Sequence, residues 1–342
     1  MGEKAEARAS ATVNDLCDRY IEDHLPRKRE RSQEDDKLRI KRAIRPMIGN
    51  RKVAAVAHAD VDKLHRDMKT TPYEANRVLS LLSKMFNLAV KWGLRADNPC
   101  RGVERFPEHR RNRYLAPAEL QRLTEALAAY PEVRANRERK RLGPKVQPET
   151  LSAARRMGKA VADVVRLCLL TGCRRGEALA ATWAQFDLES GIWTKPAATT
   201  KTNTEHRVPL SDAAVLLLRG MSAEAKSDEA DTSEPVHVFP DETGESHLTE
   251  IKRGWQDLRR AAAIPDVRLH DLRHTYASIL VSAGASLPMI GALLGHTQPS
   301  TTARYAHLFA DPLRAMTNEV GHVVSGAASA DVVQHPKSET GA

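Results

Sequence analysis

Aromatic residues are scarce in this 342-residue chain, at 4% of the total. A sandwich built on Tyr, Phe and Trp pairs is therefore a poor expectation, and helices rich in Ala, Leu and Arg a better one. Cysteine is scarce too. Cys17, Cys100, Cys168 and Cys173 are scattered, with no C-x-x-C pair and no histidine pair beside them. A disulfide framework and structural zinc are poor readings, and a reducing cytoplasmic setting is the natural one. No apolar run approaches the ~20 residues of a membrane span. The opening MGEKAEARAS has no apolar signal-peptide core. With 41% hydrophobic residues the chain has material for ordinary cores, against wholesale disorder.

What the chain does have is positive charge, unevenly placed. Lys and Arg number 53 against 44 Asp and Glu, a net charge of +9. The first 113 residues hold 26 basic and 17 acidic side chains, and the remainder holds 27 of each. A basic first third beside a neutral remainder suits a polyanionic partner gripped by the N-terminal part. Charge alone would equally describe a solvated helical surface.

The length predicts about two domains. After a flexible tail over 1–10, Thr12 caps a helix with Val13, Leu16, Tyr20 and Ile21 on one face. Leu38, Ile40, Ile44 and Met47 mark a second helix, and Val61, Leu64 and Met68 a third with Asp60 as its cap. The clearest helix spans 73–92, closed by Gly93. Residues 11–106 thus form a bundle of about four helices. Its basic residues, among them Arg27, Lys28, Arg29, Arg42, Arg45, Arg51 and Lys52, gather at helix ends and loops, where phosphate contacts are commonly made. A basic linker over 107–116 follows, carrying Arg110, Arg111 and Arg113. It suits a strap along a charged backbone or a simple hinge.

From Pro117 a second domain is expected to run to residue 320. It holds a buried helix at 160–170, two short strands at Ile192–Trp193 and Arg207–Leu210, and helices at 248–263, 270–283, 287–294 and 298–309. Residues 131–158 read as a polar, basic excursion between two helices. Residues 221–236 read as an acidic loop, and 321–342 as a loose tail.

Four separated clusters carry candidate chemistry. In Thr171-Gly172-Cys173-Arg174-Arg175-Gly176-Glu177 a glycine ends a buried helix and arginines open the next, near backbone N–H groups that suit phosphate. Taken alone, an exposed arginine pair with Glu177 as a capping partner is the better reading. Lys201 lies in the turn between the strands, where a flexible lysine can deliver a proton, although most such lysines are ordinary surface residues. In His270-Asp271-Leu272-Arg273-His274 the first histidine and the arginine share a helix face at i,i+3, a proton-transfer group beside a bidentate oxyanion clamp. A metal reading of His270 and His274 lacks a third ligand. His296 follows Leu294-Gly295, and Tyr305 comes nine residues later. A lone tyrosine is most often packing. As a nucleophile it would need nearby cations, since a free phenol titrates near ~10.

Taken in order, TGCRRGEAL, the lysine in TTKT ahead of RVPL, HDLRHTYAS, LGH and TTARYAH resemble the tyrosine recombinase family, the site-specific recombinases of the phage-integrase type. The resemblance implies a mainly α fold with a small antiparallel β-sheet. An N-terminal helical core-binding (SAM-like) domain would precede a C-terminal mixed α/β catalytic domain. Arg174 and Arg273 would clamp the scissile phosphate, Lys201 would protonate the departing 5′-oxygen, and His270 would assist proton transfer. His296 would hydrogen-bond the phosphate, Glu177 would brace the pocket, and Tyr305 would attack. Lys195 competes with Lys201 for the lysine role. The family chemistry needs neither metal nor ATP, because a 3′-phosphotyrosyl ester conserves the bond. The implied partners are double-stranded DNA recombination sites, a homotetramer on paired sites, and accessory DNA-bending proteins, with a nucleoid-associated cytoplasmic location. Residues 311–320 would supply a helix that docks on a neighbour, and no separate arm-binding module is expected ahead of the bundle. A non-catalytic DNA-binding regulator on the same scaffold would be expected to lack Tyr305, Arg174 or Arg273. A type IB-like DNA-relaxing enzyme shares the tyrosine chemistry.

Overall fold

The computed structural model describes residues 11–108, 111–197, 204–227, 236–309 and 317–318. The chain divides into two compact units, Met1–Arg111 and Asn112–Ala342.

The first unit is helical. Helix α1 (Val13–Arg19) is capped by Thr12, whose hydroxyl and backbone N–H both engage Asp15. A wider π-type turn, Tyr20–His24, prolongs it. Helix α2 (Glu30–Arg39) passes through a similar turn, Ile40–Ile44, into α3 (Arg45–Ile48). Helices α4 (His58–Asp67) and α5 (Pro72–Lys91) complete the bundle. Helix α5 contributes Val78, Leu82, Met85, Phe86 and Ala89 to one core together with Val13, Leu16, Tyr20 and Ile44. Asp60 is not the cap of α4. It lies inside the first turn, where its carboxylate accepts the Ala57 N–H at 3.0 Å, because an acidic side chain three residues in reaches back to an orphan donor.

In the second unit α6 (Pro117–Leu142) and α7 (Pro148–Thr171) form a long hairpin. The segment 131–158, expected as an excursion between helices, is largely the helices themselves. Pro131 lies within α6, and only the stretch around Gly143 turns the chain. Ala135, Leu151 and Gly158 are buried. A Cβ at Gly158 would come 2.9 Å from the Pro131 Cα, so the missing side chain lets the two backbones close together. The low apolar content that suggests a loop reflects a hairpin solvated on most sides. The buried helix expected at 160–170 accordingly starts much earlier, at Pro148.

After α7 come α8 (Arg175–Leu179) and a three-stranded antiparallel sheet: β1 (Phe186–Asp187), β2 (Ile192–Lys195) and β3 (His206–Pro209), in that order. Trp193 faces Phe186 on one side and Val208 on the other. Because side chains alternate along a strand, Lys195 shares the buried face with Trp193. Helix α9 (Asp212–Ser227) runs into the expected acidic loop, so the front of 221–236 is helical. Helices α10 (Lys252–Ala261), α11 (Leu269–Ser282), α12 (Leu287–Leu294) and α13 (Pro299–Thr302) follow, and a 3-10 turn, Ala303–Phe309, ends the series. The single helix expected over 298–309 is thus two short pieces. The main core of this unit centres on α7, with Leu123, Val164, Leu167, Trp193, Leu258 and Leu272. A smaller cluster of Ala277, Val281, Ile290, Leu294 and Tyr305 holds the C-terminal elements together.

The tails expected over 1–10 and 321–342, Arg110, Lys201 and most of 311–320 lie outside the described residues. No helix among the described residues is long and apolar enough to cross a membrane.

Candidate active site

Helix α7 stops at Gly172, which takes a left-handed conformation (φ +61°) and donates its N–H to the Cys168 carbonyl at 3.0 Å. A side chain there would strike the Tyr276 ring as well as strain the backbone. The chain then extends through Arg174, which precedes the first turn of α8. Arg174 donates from Nη1 to Glu177 Oε1 at 2.6 Å, and its backbone N–H reaches Glu177 Oε2 at 3.2 Å. The same carboxylate receives Lys195 Nζ at 2.7 Å. Lys195 is 3% exposed and rests 4.2 Å from the Trp193 ring centroid. Burial by itself would raise the Glu177 carboxyl. The Lys195 charge and the hydrogen bonds from Lys195 and Arg174 outweigh it and hold the group at about 2. Glu177 is thus an anion that braces two cations.

Helix α11 carries the next group. Arg273 is 3% exposed and spans two helix ends, donating Nη1 to the Gly172 carbonyl at 2.8 Å and Nη2 to the Leu294 carbonyl at 2.6 Å. Those carbonyls close α7 and α12, so one side chain ties three helices together at the site. Burial, then the Arg174 charge, lowers its guanidinium to about 10, still protonated at neutral pH. His270 lies one turn earlier with an exposed edge; desolvation of its inner face, then Arg273, lowers its pKa.

His296 follows Gly295, a left-handed residue that ends α12. Its Nδ1 lies 2.9 Å from Thr302 Oγ1. Burial, then Arg273 and Arg174, lowers it to about 4, leaving a neutral ring at pH 7. His206 of β3 packs on Gly295, with Nε2 2.8 Å from the Ala292 carbonyl. Arg174, Glu177, His206 and His296 line a cavity of about 230 Å³. Tyr305 lies on the 3-10 turn, 3% exposed, with its hydroxyl 2.9 Å from His274 Nδ1. Burial raises its phenol above the usual value, opposed by the Arg273 and Arg304 charges.

Clusters some 130 residues apart in sequence thereby meet in one unit. A model of the phage integrase family matches residues 140–311, and one of the phage integrase central domain matches residues 13–105. The chain belongs to the phage integrase family. Its relatives include the integrase of Salmonella phage P22, 28% identical over 190 residues, 52% of this chain and 46% of that protein. A shufflon-specific DNA recombinase of Escherichia coli is 27% identical over 232 residues, 67% of this chain and 50% of that one. The tyrosine recombinase XerD of Rhizobium meliloti is 35% identical over 118 residues, covering 33% of this chain and 37% of that protein. The chain therefore spans half or less of the curated relatives' lengths in these matches. The fold is similar to the Tn1549 transposon integrase solved with circular-intermediate DNA (TM-score 0.67, 16% identity, 91% of this chain and 100% of that one). It is also similar to a lambda integrase dimer solved on a core site (TM-score 0.62, 16% identity, 85% and 97%).

The integrase-family stretch contains Arg174, Glu177, Lys195, Lys201, His270, Arg273, His296 and Tyr305. Sequence reasoning gives no role to four side chains that meet the site: His274 on Tyr305, Thr302 on His296, His206 on Gly295, and Arg304 beside Tyr305. It weighs His274 only as a metal ligand, and the position of that residue next to Arg273 is the available signal. Among the described residues no group of three or more His, Cys, Asp or Glu side chains could hold a metal ion.

The sequence-nominated phosphate contacts fall into two kinds. Arg27, Arg29, Arg42, Arg51 and Lys52 are exposed, and Arg51 also pairs with Asp60 at 2.6 Å. Lys28 pairs with Asp36 at 2.7 Å and Arg45 with Asp18 at 2.5 Å, both half-buried. Arg111 is half-buried. Arg113 binds Glu119 at 2.6 Å and Asp266 at 2.9 Å within the second unit.

Proposed function

We propose that this chain is a site-specific DNA recombinase that cuts and rejoins DNA through a 3′-phosphotyrosyl intermediate. The observation that carries the reading is the placement of Arg273. It is a buried, permanently charged group fixed by two helix-end carbonyls, and its charge acts on both His296 and Tyr305. Such a cation stabilises charge building on a phosphorane without reorganising at the moment of reaction.

In this mechanism Tyr305 Oη bonds to the scissile phosphorus as its phenol proton leaves through His270 to water, and the bond to the 5′-oxygen breaks. Arg174 and Arg273 neutralise the non-bridging oxygens, and His296 hydrogen-bonds the phosphate. Lys201 protonates the departing 5′-oxygen, with His270 assisting proton transfer. Lys195 is tied to Glu177, which favours Lys201 for the donor role. A 5′-hydroxyl of a second strand then attacks the ester and completes exchange. The first unit grips the DNA core site through exposed cations such as Arg27, Arg42 and Lys52. The working assembly is a tetramer on paired sites of a mobile element, in association with the nucleoid.

A nicked suicide substrate tests the reading. The wild-type chain should trap a covalent 3′-linked complex, and Tyr305→Phe should form none while binding DNA within about twofold of wild type. Covalent complexes persisting in that variant would overturn the nucleophile assignment. Replacing the 5′-bridging oxygen by sulfur, a leaving group that needs no proton, separates the lysines. The substitution should rescue Lys201→Ala and leave Lys195→Ala impaired.

A further inference from the structure

We infer that His274 is the positioning residue for the Tyr305 nucleophile: its Nδ1 accepts the phenol's hydrogen bond and fixes the direction of the remaining lone pairs on Oη. The inference rests on the reading of Tyr305 as nucleophile and adds to it a residue outside the arginine, lysine and histidine set.

The contact is 2.9 Å between two side chains that are 7% and 3% exposed, with ring centroids 5.7 Å apart. Among the described residues it is the one hydrogen bond the Tyr305 hydroxyl makes. A phenol can rotate its O–H about the C–O bond, and a nucleophile whose lone pairs point at random loses most of its encounters with phosphorus. A fixed acceptor removes that freedom in advance. Tyr305 sits on a short 3-10 turn, an element with poorer hydrogen-bond geometry than an α-helix, so its aim needs an outside reference.

His274 supplies a rigid one. It sits in α11 between Arg273, tied to the ends of α7 and α12, and Thr275, whose hydroxyl accepts the Leu115 N–H at 3.0 Å. The His270 ring packs edge-on against it at 5.1 Å. Three consecutive residues of one helix thus hold the phosphate clamp, the nucleophile and the entry segment of the unit in a common frame.

The surroundings also favour accepting a hydrogen bond over taking the proton. Burial first, then His270, Arg304 and Arg273, disfavour a charged ring at 274 and outweigh the opposing charge of Asp271. Burial and these neighbours lower His274 to about 4, so the ring is neutral at pH 7, and in the Nε2–H tautomer Nδ1 offers its lone pair to the phenol.

Asparagine places its amide oxygen near the position of histidine Nδ1, whereas phenylalanine fills the space with no acceptor. The test is single-turnover cleavage of the suicide substrate, with DNA affinity and thermal melting measured alongside. His274→Phe should form the covalent complex about 30–100-fold more slowly at unchanged affinity. His274→Asn should recover to within about fivefold of wild type. His274→Gln, whose acceptor lies beyond the required position, should be as slow as His274→Phe and guards against a folding defect in the latter. A wild-type rate in His274→Phe or His274→Gln overturns the proposal. So does His274→Asn as slow as His274→Phe, which would mean that the imidazole itself takes the proton. Covalent trapping in Tyr305→Phe would instead sink the nucleophile assignment, so the two failures are distinguishable.

Discussion

In the first unit Arg27, Arg42 and Lys52 hold their charge out in solvent, whereas in the second unit Arg273 and Lys195 are each 3% exposed. The two placements do different physical work. Solvent-facing cations act through a screened field, gain their effect by number, and weaken as salt rises. A buried cation acts at one point, needs its partners fixed, and is nearly indifferent to salt. Arg273 has two carbonyl acceptors, and Lys195 has a carboxylate and the face of an indole. Net charge therefore says little about where the chemistry lies. The first 113 residues carry the whole formal excess, while the candidate catalytic groups sit in a stretch that is neutral overall.

Substituting the buried members should break this contrast most severely. Arg273→Ala should lower the rate of covalent complex formation by about 10²–10³-fold. It should also destabilise the fold by about 1–3 kcal/mol for each buried carbonyl left without a donor. Arg273→Lys should rescue little, since an ammonium cannot reproduce the fork that spans the Gly172 and Leu294 carbonyls. Cleavage kinetics and urea melts check both. Equal losses of binding and cleavage would reassign Arg273 as a DNA backbone contact.

Lys195→Met comes next. It leaves the Glu177 carboxylate buried with Arg174 alone, and breaking such a pair from one side costs about 3–5 kcal/mol. The Glu177 pKa is depressed in the folded state, so its contribution is present above the unfolded value near 4.5 and is lost as pH falls toward about 2. That contribution is on the order of 3 kcal/mol. In Lys195→Met the acid limb over this window should flatten. A stability–pH profile identical to wild type would show that the pair contributes nothing.

A milder effect belongs to the neutral histidines. His274 and His296 both lie at about 4, below the free value near 6.5. A histidine with a lowered folded pKa stabilises the fold above the unfolded value, and the gain is lost as pH falls through the folded one. Stability should therefore decline from about pH 6.5 toward 4, a window above that of Glu177. His296→Asn should remove part of that slope, read by thermal melting at pH 7 and pH 5.

The sequence revealed these groups unequally, and the reasons are physical. Arg174, His270, Arg273, His296 and Tyr305 stand in short stretches whose order alone was informative. Helix α5 was legible because nine of its residues are buried along one face. The hairpin of α6 and α7 was not, because it is mostly solvated and Pro131, a helix breaker by propensity, sits inside α6. Pro131 packs closely against Gly158, 27 residues later, and such a pairing leaves no local mark. The His274–Tyr305 and Lys195–Glu177 contacts were hidden for the same reason: each joins residues from different elements.

The smallest expected effect comes from single exposed cations of the first unit, and it sharpens the contrast from the other side. Arg42→Ala and Lys52→Ala should each weaken DNA binding only several-fold, uniformly across sequences. Each should also lower the salt slope of log affinity by about 0.9 for every phosphate it no longer neutralises. Once DNA is saturating, the cleavage rate should stay at the wild-type value, because the proposed chemistry assigns neither side chain a part in it. Titrations from low to high salt measure the slope, and single-turnover cleavage at saturation measures the rate. A fall in the saturated rate would mean that the first unit does more than hold DNA, and that grip and chemistry are coupled through the bound substrate. An unchanged slope in every such variant would remove the first unit's exposed arginines and lysines from the DNA interface and leave the second unit to supply the grip.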